Sequence, residues 1–91
     1  MSGESTNLFN VNEVDAELTR KVLKEICDAL KERGYNPNNQ IVGYLISGDP
    51  GYISSYNDSR KKICKLERTQ IVEVLLRNYI EKWEYLNPEN I

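Results

Sequence analysis

The chain has 91 residues, 40% hydrophobic and 29% charged, with 12 Lys and Arg against 14 Asp and Glu. That length allows one domain, which buries only about 60–65% of its unfolded surface and so favours a homo-oligomer. The net charge of −2 argues against a general nucleic-acid binder, and the absence of histidine removes the commonest general base and metal ligand.

Residues 1–12 are polar, with small residues at Ser2, Gly3, Ser5 and Thr6 and apolar anchors only at Leu8, Phe9 and Val11. They read as a flexible arm whose second half docks on the body. The sequence MSGESTNLF has no basic stretch leading into an apolar one, so no secretory signal is expected and the location is expected to be cytoplasmic. Residues 13–91 read as one helical domain.

A first helix is predicted from Glu13 to about Arg33, capped by Asn12 and stopped by Gly34. Val14, Leu18, Val22, Ile26, Ala29 and Leu30 recur at threes and fours and are assigned to its buried face. Glu17–Lys21 and Lys24–Asp28 are expected ion pairs on its wet side. Asn36-Pro37 reads as cap and first residue of a second helix, Pro37 to about Ser47, ended by Gly48. Its apolar density (Ile41, Val42, Tyr44, Leu45, Ile46) predicts burial on more than one side, and Gly43 predicts close approach of another backbone. Tyr35, Tyr44 and Tyr52 are assigned to the core with their hydroxyls at the surface.

Asp49-Pro50 repeats the cap-and-proline signal and opens a short turn. Asp58 is read as the cap of a third helix carrying Ile63 and Leu66. A last helix is predicted from Thr69 to Leu86, with Thr69 as its cap or with the two helices continuous through a kink. Its apolar positions exceed what one core-facing stripe needs, so Leu75, Leu76, Tyr79, Ile80 and Trp83 are assigned to an interface with a second copy. No segment alternates like a strand. The predicted fold is all-α, four to five helices, homodimeric.

Cys27 and Cys64 lack metal-site or redox spacing and read as reduced thiols acting as small hydrophobes. Acid pairs such as Glu13/Glu17 and Glu81/Glu84 fall on solvated faces, and no nucleophile–base pairing is identifiable. No catalytic residue, metal ligand or cofactor is predicted. Arg60, Lys61, Lys62, Lys65 and Arg68 form the one dense basic run, with Lys61, Lys65 and Arg68 on one helix face. Short helices, a glycine-containing turn and this run leave a helix-turn-helix DNA-binding regulator as the alternative function, against which the acidic balance counts.

The text GYNPNNQIVGYLISGDPGYISSYNDSRKKICKLERTQIVEVL, from Gly34, resembles the IreB family (also called ReoM) of small regulatory phosphoproteins from Gram-positive bacteria. Gly34 through Pro50 departs from the family pattern only at Asn38 and Ile46. Asn57, Asp58, Arg60 and Lys65 through Arg68 also match, whereas Gly51, Ser54, Ser55 and Tyr56 depart. The resemblance implies a cytosolic, non-catalytic, all-helical dimer. It implies phosphorylation of an arm threonine by a membrane-bound Ser/Thr kinase with extracellular PASTA repeats. It further implies control of peptidoglycan synthesis and cephalosporin tolerance, through a downstream protein of cell-wall synthesis or Clp-dependent proteolysis. Thr6, three residues before Phe9, matches the family's threonine, although Asn7 and Leu8 depart from the pattern between them. Gly3 stands where some members carry a second threonine, and Ser5 and Ser2 are weak substitutes. A phosphate on Thr6 would add about −1.5 to −2 charges. Arg60, Lys61, Lys65 and Arg68 are the expected docking face for it, or for an acidic partner surface.

Overall fold

The computed structural model describes the backbone of residues 13–90 and the side chains of residues 15–89. Four α-helices appear in chain order: α1 (Glu13–Glu32), α2 (Pro37–Ser47), α3 (Ser59–Cys64) and α4 (Arg68–Leu86). Three short 3₁₀ turns join or follow them, Pro50–Tyr52, Tyr56–Asp58 and Pro88–Asn90. There is no strand among the described residues. The fold is all-α.

The helix ends follow from local chemistry. Gly34 takes φ +83° at the end of α1, where its N–H donates to the Lys31 carbonyl and that of Tyr35 reaches back to Leu30. This pair of bonds satisfies carbonyls the helix cannot, and it needs a residue without a β-carbon. The Asn36 side chain accepts from the Asn39 N–H, Pro37 takes the first helical position, and Gly48 closes α2 at φ +77°. Asp49 then caps the Pro50–Tyr52 turn by accepting from the Gly51 N–H at 2.9 Å.

The core gathers Leu23, Ile26 and Leu30 of α1, Ile41 and Tyr44 of α2, Ile53 of the connecting loop, Ile63 of α3 and Ile71 of α4. Val22, Cys27, Leu45 and Leu66 pack against it from the rim. Within α1 the buried residues are Ala16, Thr19, Leu23, Ile26, Ala29 and Leu30, so the predicted Ile26, Ala29 and Leu30 hold, Val22 is half-buried at the rim, Leu18 does not belong to the face, and the side chain of Val14 lies outside the described ones. Steps of four residues gain about 40° on a helix, so a 14–18–22–26–30 row rotates away from the face that 26 and 30 occupy. Alternating steps of three and four hold the 16–19–23–26–30 row in place. Leu18 is accordingly 55% exposed.

Further expectations change in detail. The atoms nearest to a β-carbon on Gly43 belong to the Tyr52 ring. Tyr44 is buried, while Tyr35 and Tyr52 are largely exposed. Glu17 pairs with Arg20 at 2.8 Å, one turn position short of the predicted Lys21, and Lys24 pairs with Asp28 at 2.9 Å as expected. Asp58 makes no side-chain cap. It and Asn57 adopt left-handed conformations, φ +59° and +53°, and turn the chain into α3. Asn and Asp tolerate that region best among residues with a β-carbon. Finally, α4 begins at Arg68 with Glu67 in the capping position, so Thr69 lies inside the helix.

Candidate functional site

Only Ile71 and Val74 of α4 are fully buried. Val72, Leu75, Leu76, Tyr79, Ile80, Trp83 and Leu86 are each 42–66% exposed. At about 100° per residue these seven occupy one continuous sector of roughly 140°. The spacing from Val72 through Leu76, Tyr79 and Trp83 to Leu86 runs four, three, four, three, the repeat of a helix seam. An exposed apolar stripe of this extent marks an interaction surface. The five residues assigned to an interface from the sequence, Leu75, Leu76, Tyr79, Ile80 and Trp83, all lie on it, and Val72 and Leu86 extend it.

The stripe opens at its N-terminal end into a groove of about 730 Å³ between α2 and α4, lined by Leu45, Arg68, Thr69, Val72 and Leu76 among others. Sequence reasoning missed this groove, because it exists only once Leu45 of α2 stands beside the first turns of α4. Arg68 fixes that placement. Its Nη1 donates to the Leu45 carbonyl at 3.0 Å, and its guanidinium packs against Gly48. A cation there also faces the negative end of the α2 dipole.

The basic run does not form one helix face. α3 ends at Cys64, Lys65 is its cap, and α4 starts at Arg68, so the predicted register of Lys61, Lys65 and Arg68 breaks between the two helices. Arg60 Nε donates to the Ile53 carbonyl at 2.8 Å and braces the loop before α3. Lys62 lies 3.7 Å from Glu25 of α1. Lys61 and Lys65 point to solvent. The arm, with Thr6, Ser5 and Ser2, lies outside the described residues.

Neither cysteine is in a disulfide among the described residues. Cys64 is exposed, and Cys27 is half-buried with its thiol pushed up from the ordinary value, chiefly by that burial. Among the described residues no cluster of Cys, Asp or Glu could hold a metal ion, and no helix is long and apolar enough to cross a membrane.

The arrangement is therefore a small helical body with an apolar stripe on α4, a groove between α2 and α4, and two exposed lysines, Lys61 in α3 and Lys65 at its end. A family model described as IreB regulatory phosphoprotein matches residues 4–81, which takes in most of the arm, α1 to α3 and most of α4. The chain belongs to the IreB family of regulatory phosphoproteins.

Proposed function

We propose that this chain is a non-catalytic cytoplasmic switch in the control of peptidoglycan synthesis. A PASTA-type Ser/Thr kinase phosphorylates Thr6, and the phosphate changes how the helical body engages a downstream protein of cell-wall synthesis or Clp-dependent proteolysis. Tolerance of cephalosporins follows from that control. Two copies pair through the α4 stripe, which a body this small cannot bury by itself.

The observation that carries the reading is the family match over residues 4–81, which includes the arm threonine. The chemistry agrees. A phosphate is dianionic near neutral pH and takes charge-assisted hydrogen bonds from Lys and Arg. Lys61 and Lys65 are exposed to receive it, whereas Arg60 and Arg68 already bond backbone carbonyls through one nitrogen each. The required energy is small, since about 1.4 kcal/mol shifts a binding equilibrium tenfold.

Intact mass spectrometry after incubation with the cognate kinase tests the reading. One added phosphate is expected on the native chain and none on Thr6→Ala. An undiminished phosphate mass on Thr6→Ala removes that residue as the main acceptor.

A further inference from the structure

We infer that the chain's own arm lies back against α4 and seats Phe9 in a hollow beside Leu76 and Ile80. This concerns the unmodified arm. It depends neither on which residue takes a phosphate nor on the pairing of two copies.

The hollow has a volume of about 330 Å³ and is lined by Glu73, Leu76, Arg77, Ile80 and Glu81. Its centre lies about 100° round α4 from the middle of the exposed stripe, at about 100° per residue. It therefore opens at the edge of the stripe, on the side where α4 turns toward the body. The side chains of Arg77 and Glu73 are accordingly only 28% and 35% exposed. These two pair with each other at 3.3 Å, whereas Leu76 and Ile80 remain uncovered. The part of the wall that lacks a partner is chiefly apolar.

The course of α1 brings the arm to this place. Leu23, Ile26 and Leu30 of α1 share the core with Ile71 in the first turn of α4. Ala16 and Thr19, earlier in α1, and Val74, later in α4, are buried outside that cluster. The two helices pack on each other, so these residues meet only if the helices run antiparallel. With Leu23 level with Ile71, ten residues lead back to Glu13 and ten lead on to Glu81, so α1 starts level with the C-terminal end of the hollow. Phe9 stands four residues before Glu13, and four residues reach at most about 14 Å. Packed helix axes are about 8–10 Å apart, so Phe9 crosses to α4 within that tether. The head of the larger groove, at Thr69, lies twelve residues before Glu81, about 18 Å along α4 and beyond it.

The arm's composition fits the site. Leu8, Phe9 and Val11 are the apolar anchors of an otherwise polar segment, and Phe9 is the largest of them. Thr6 stands three residues from that anchor, so the segment open to modification is held by the body before any phosphate arrives.

The test is nuclear magnetic resonance on the full chain. Phe9 is its only phenylalanine, so the ring protons are unambiguous. They are expected to show nuclear Overhauser contacts to the Leu76 and Ile80 methyls. Phe9→Ala is expected to shift those methyls and to leave the methyls of Leu75, on the opposite flank of α4, in place. It is also expected to make the amides of residues 8–11 mobile on the picosecond-to-nanosecond timescale, where in the native chain they are as ordered as the body. Absence of the Phe9 contacts, with arm amides already mobile in the native chain, overturns the docking. In a mixture of isotope-labelled and unlabelled chains, Phe9 contacts that arise only between copies overturn the assignment to the arm's own body. Phosphate uptake by mass tests the switch reading separately, so failure of the docking and failure of that reading are told apart.

Discussion

The ring of Tyr52 occupies the place where a β-carbon on residue 43 would stand: such an atom would lie 2.5 Å from Tyr52 Cδ1. Gly43 sits in the middle of α2, where glycine costs about 1 kcal/mol relative to alanine. The structure uses that vacancy to lay the Pro50–Tyr52 turn against the helix. Gly43→Ala must displace ring atoms close to the Tyr52 backbone, and overpacking of this kind costs about 1–3 kcal/mol. Net destabilisation of about 1 kcal/mol is expected by urea denaturation. In a Tyr52→Ala background the same substitution has no ring to meet, and it stabilises by up to about 1 kcal/mol. If the sign does not reverse between the two backgrounds, the ring is not what requires glycine here.

Arg68 ties the start of α4 to the end of α2. Arg68→Ala removes the bond to the Leu45 carbonyl and the cation at the α2 C-terminus. The site is exposed, so the loss is expected at about 1 kcal/mol, and it falls as salt is added. Denaturation at low and high ionic strength measures it. No change in midpoint would show that the tie contributes nothing to stability.

The two thiols differ in accessibility and acidity. Burial raises the Cys27 pKa, so at neutral pH Cys27 holds its proton more firmly than a free thiol, and the thiolate is the reactive form. Cys64 is exposed. Alkylation of the native chain near pH 7.5 (an assay condition within the usual thiol range) is expected at Cys64 first, with Cys27 lagging about tenfold or more. Burial also sets a pH trend. The stability that Cys27 contributes as a neutral thiol is fully present below the unfolded thiol pKa and declines as pH rises through the raised folded value. Equal labelling rates by peptide mass spectrometry would contradict the half-buried placement.

Much of the fold was legible because its signals are local. α2 could be bounded at both ends from Asn36-Pro37 and Gly48, since a cap, a fixed proline φ and a left-handed glycine each act within one turn. The apolar excess of α4 was legible for the same reason. The face of α1 was not, because a row of Val14, Leu18 and Val22 and a row of Ala16, Thr19 and Leu23 both satisfy a three-or-four rule. Only the direction of packing chooses between them. The left-handed Asn57–Asp58 pair, the break in the basic run and the Leu45–Arg68 groove were hidden too. The groove depends on where a residue distant in sequence comes to lie, and a charge run gives no sign that Arg60 and Arg68 turn onto carbonyls.

The lysines left exposed at the end of α3 have an expected consequence. Phosphorylation of Thr6 is expected to shift arm amide resonances in the native chain, and Lys61→Glu with Lys65→Glu is expected to abolish the part of that shift due to docking. Both lysines point to solvent, so the double substitution is expected to change stability by less than about 0.5 kcal/mol. Identical arm shifts in the two backgrounds would remove these lysines from phosphate recognition.

Sedimentation velocity across a concentration series, comparing the native chain with Leu76→Glu/Tyr79→Glu, tests the central claim that a second copy covers the α4 stripe. Both positions are exposed within one chain, at 56% and 66%, so the double variant is expected to keep its helical circular dichroism. The account predicts twice the chain mass for the native protein and a single chain mass for the variant at the same concentration. A native chain that stays single at high concentration, or a variant that pairs as tightly as the native one, would contradict it.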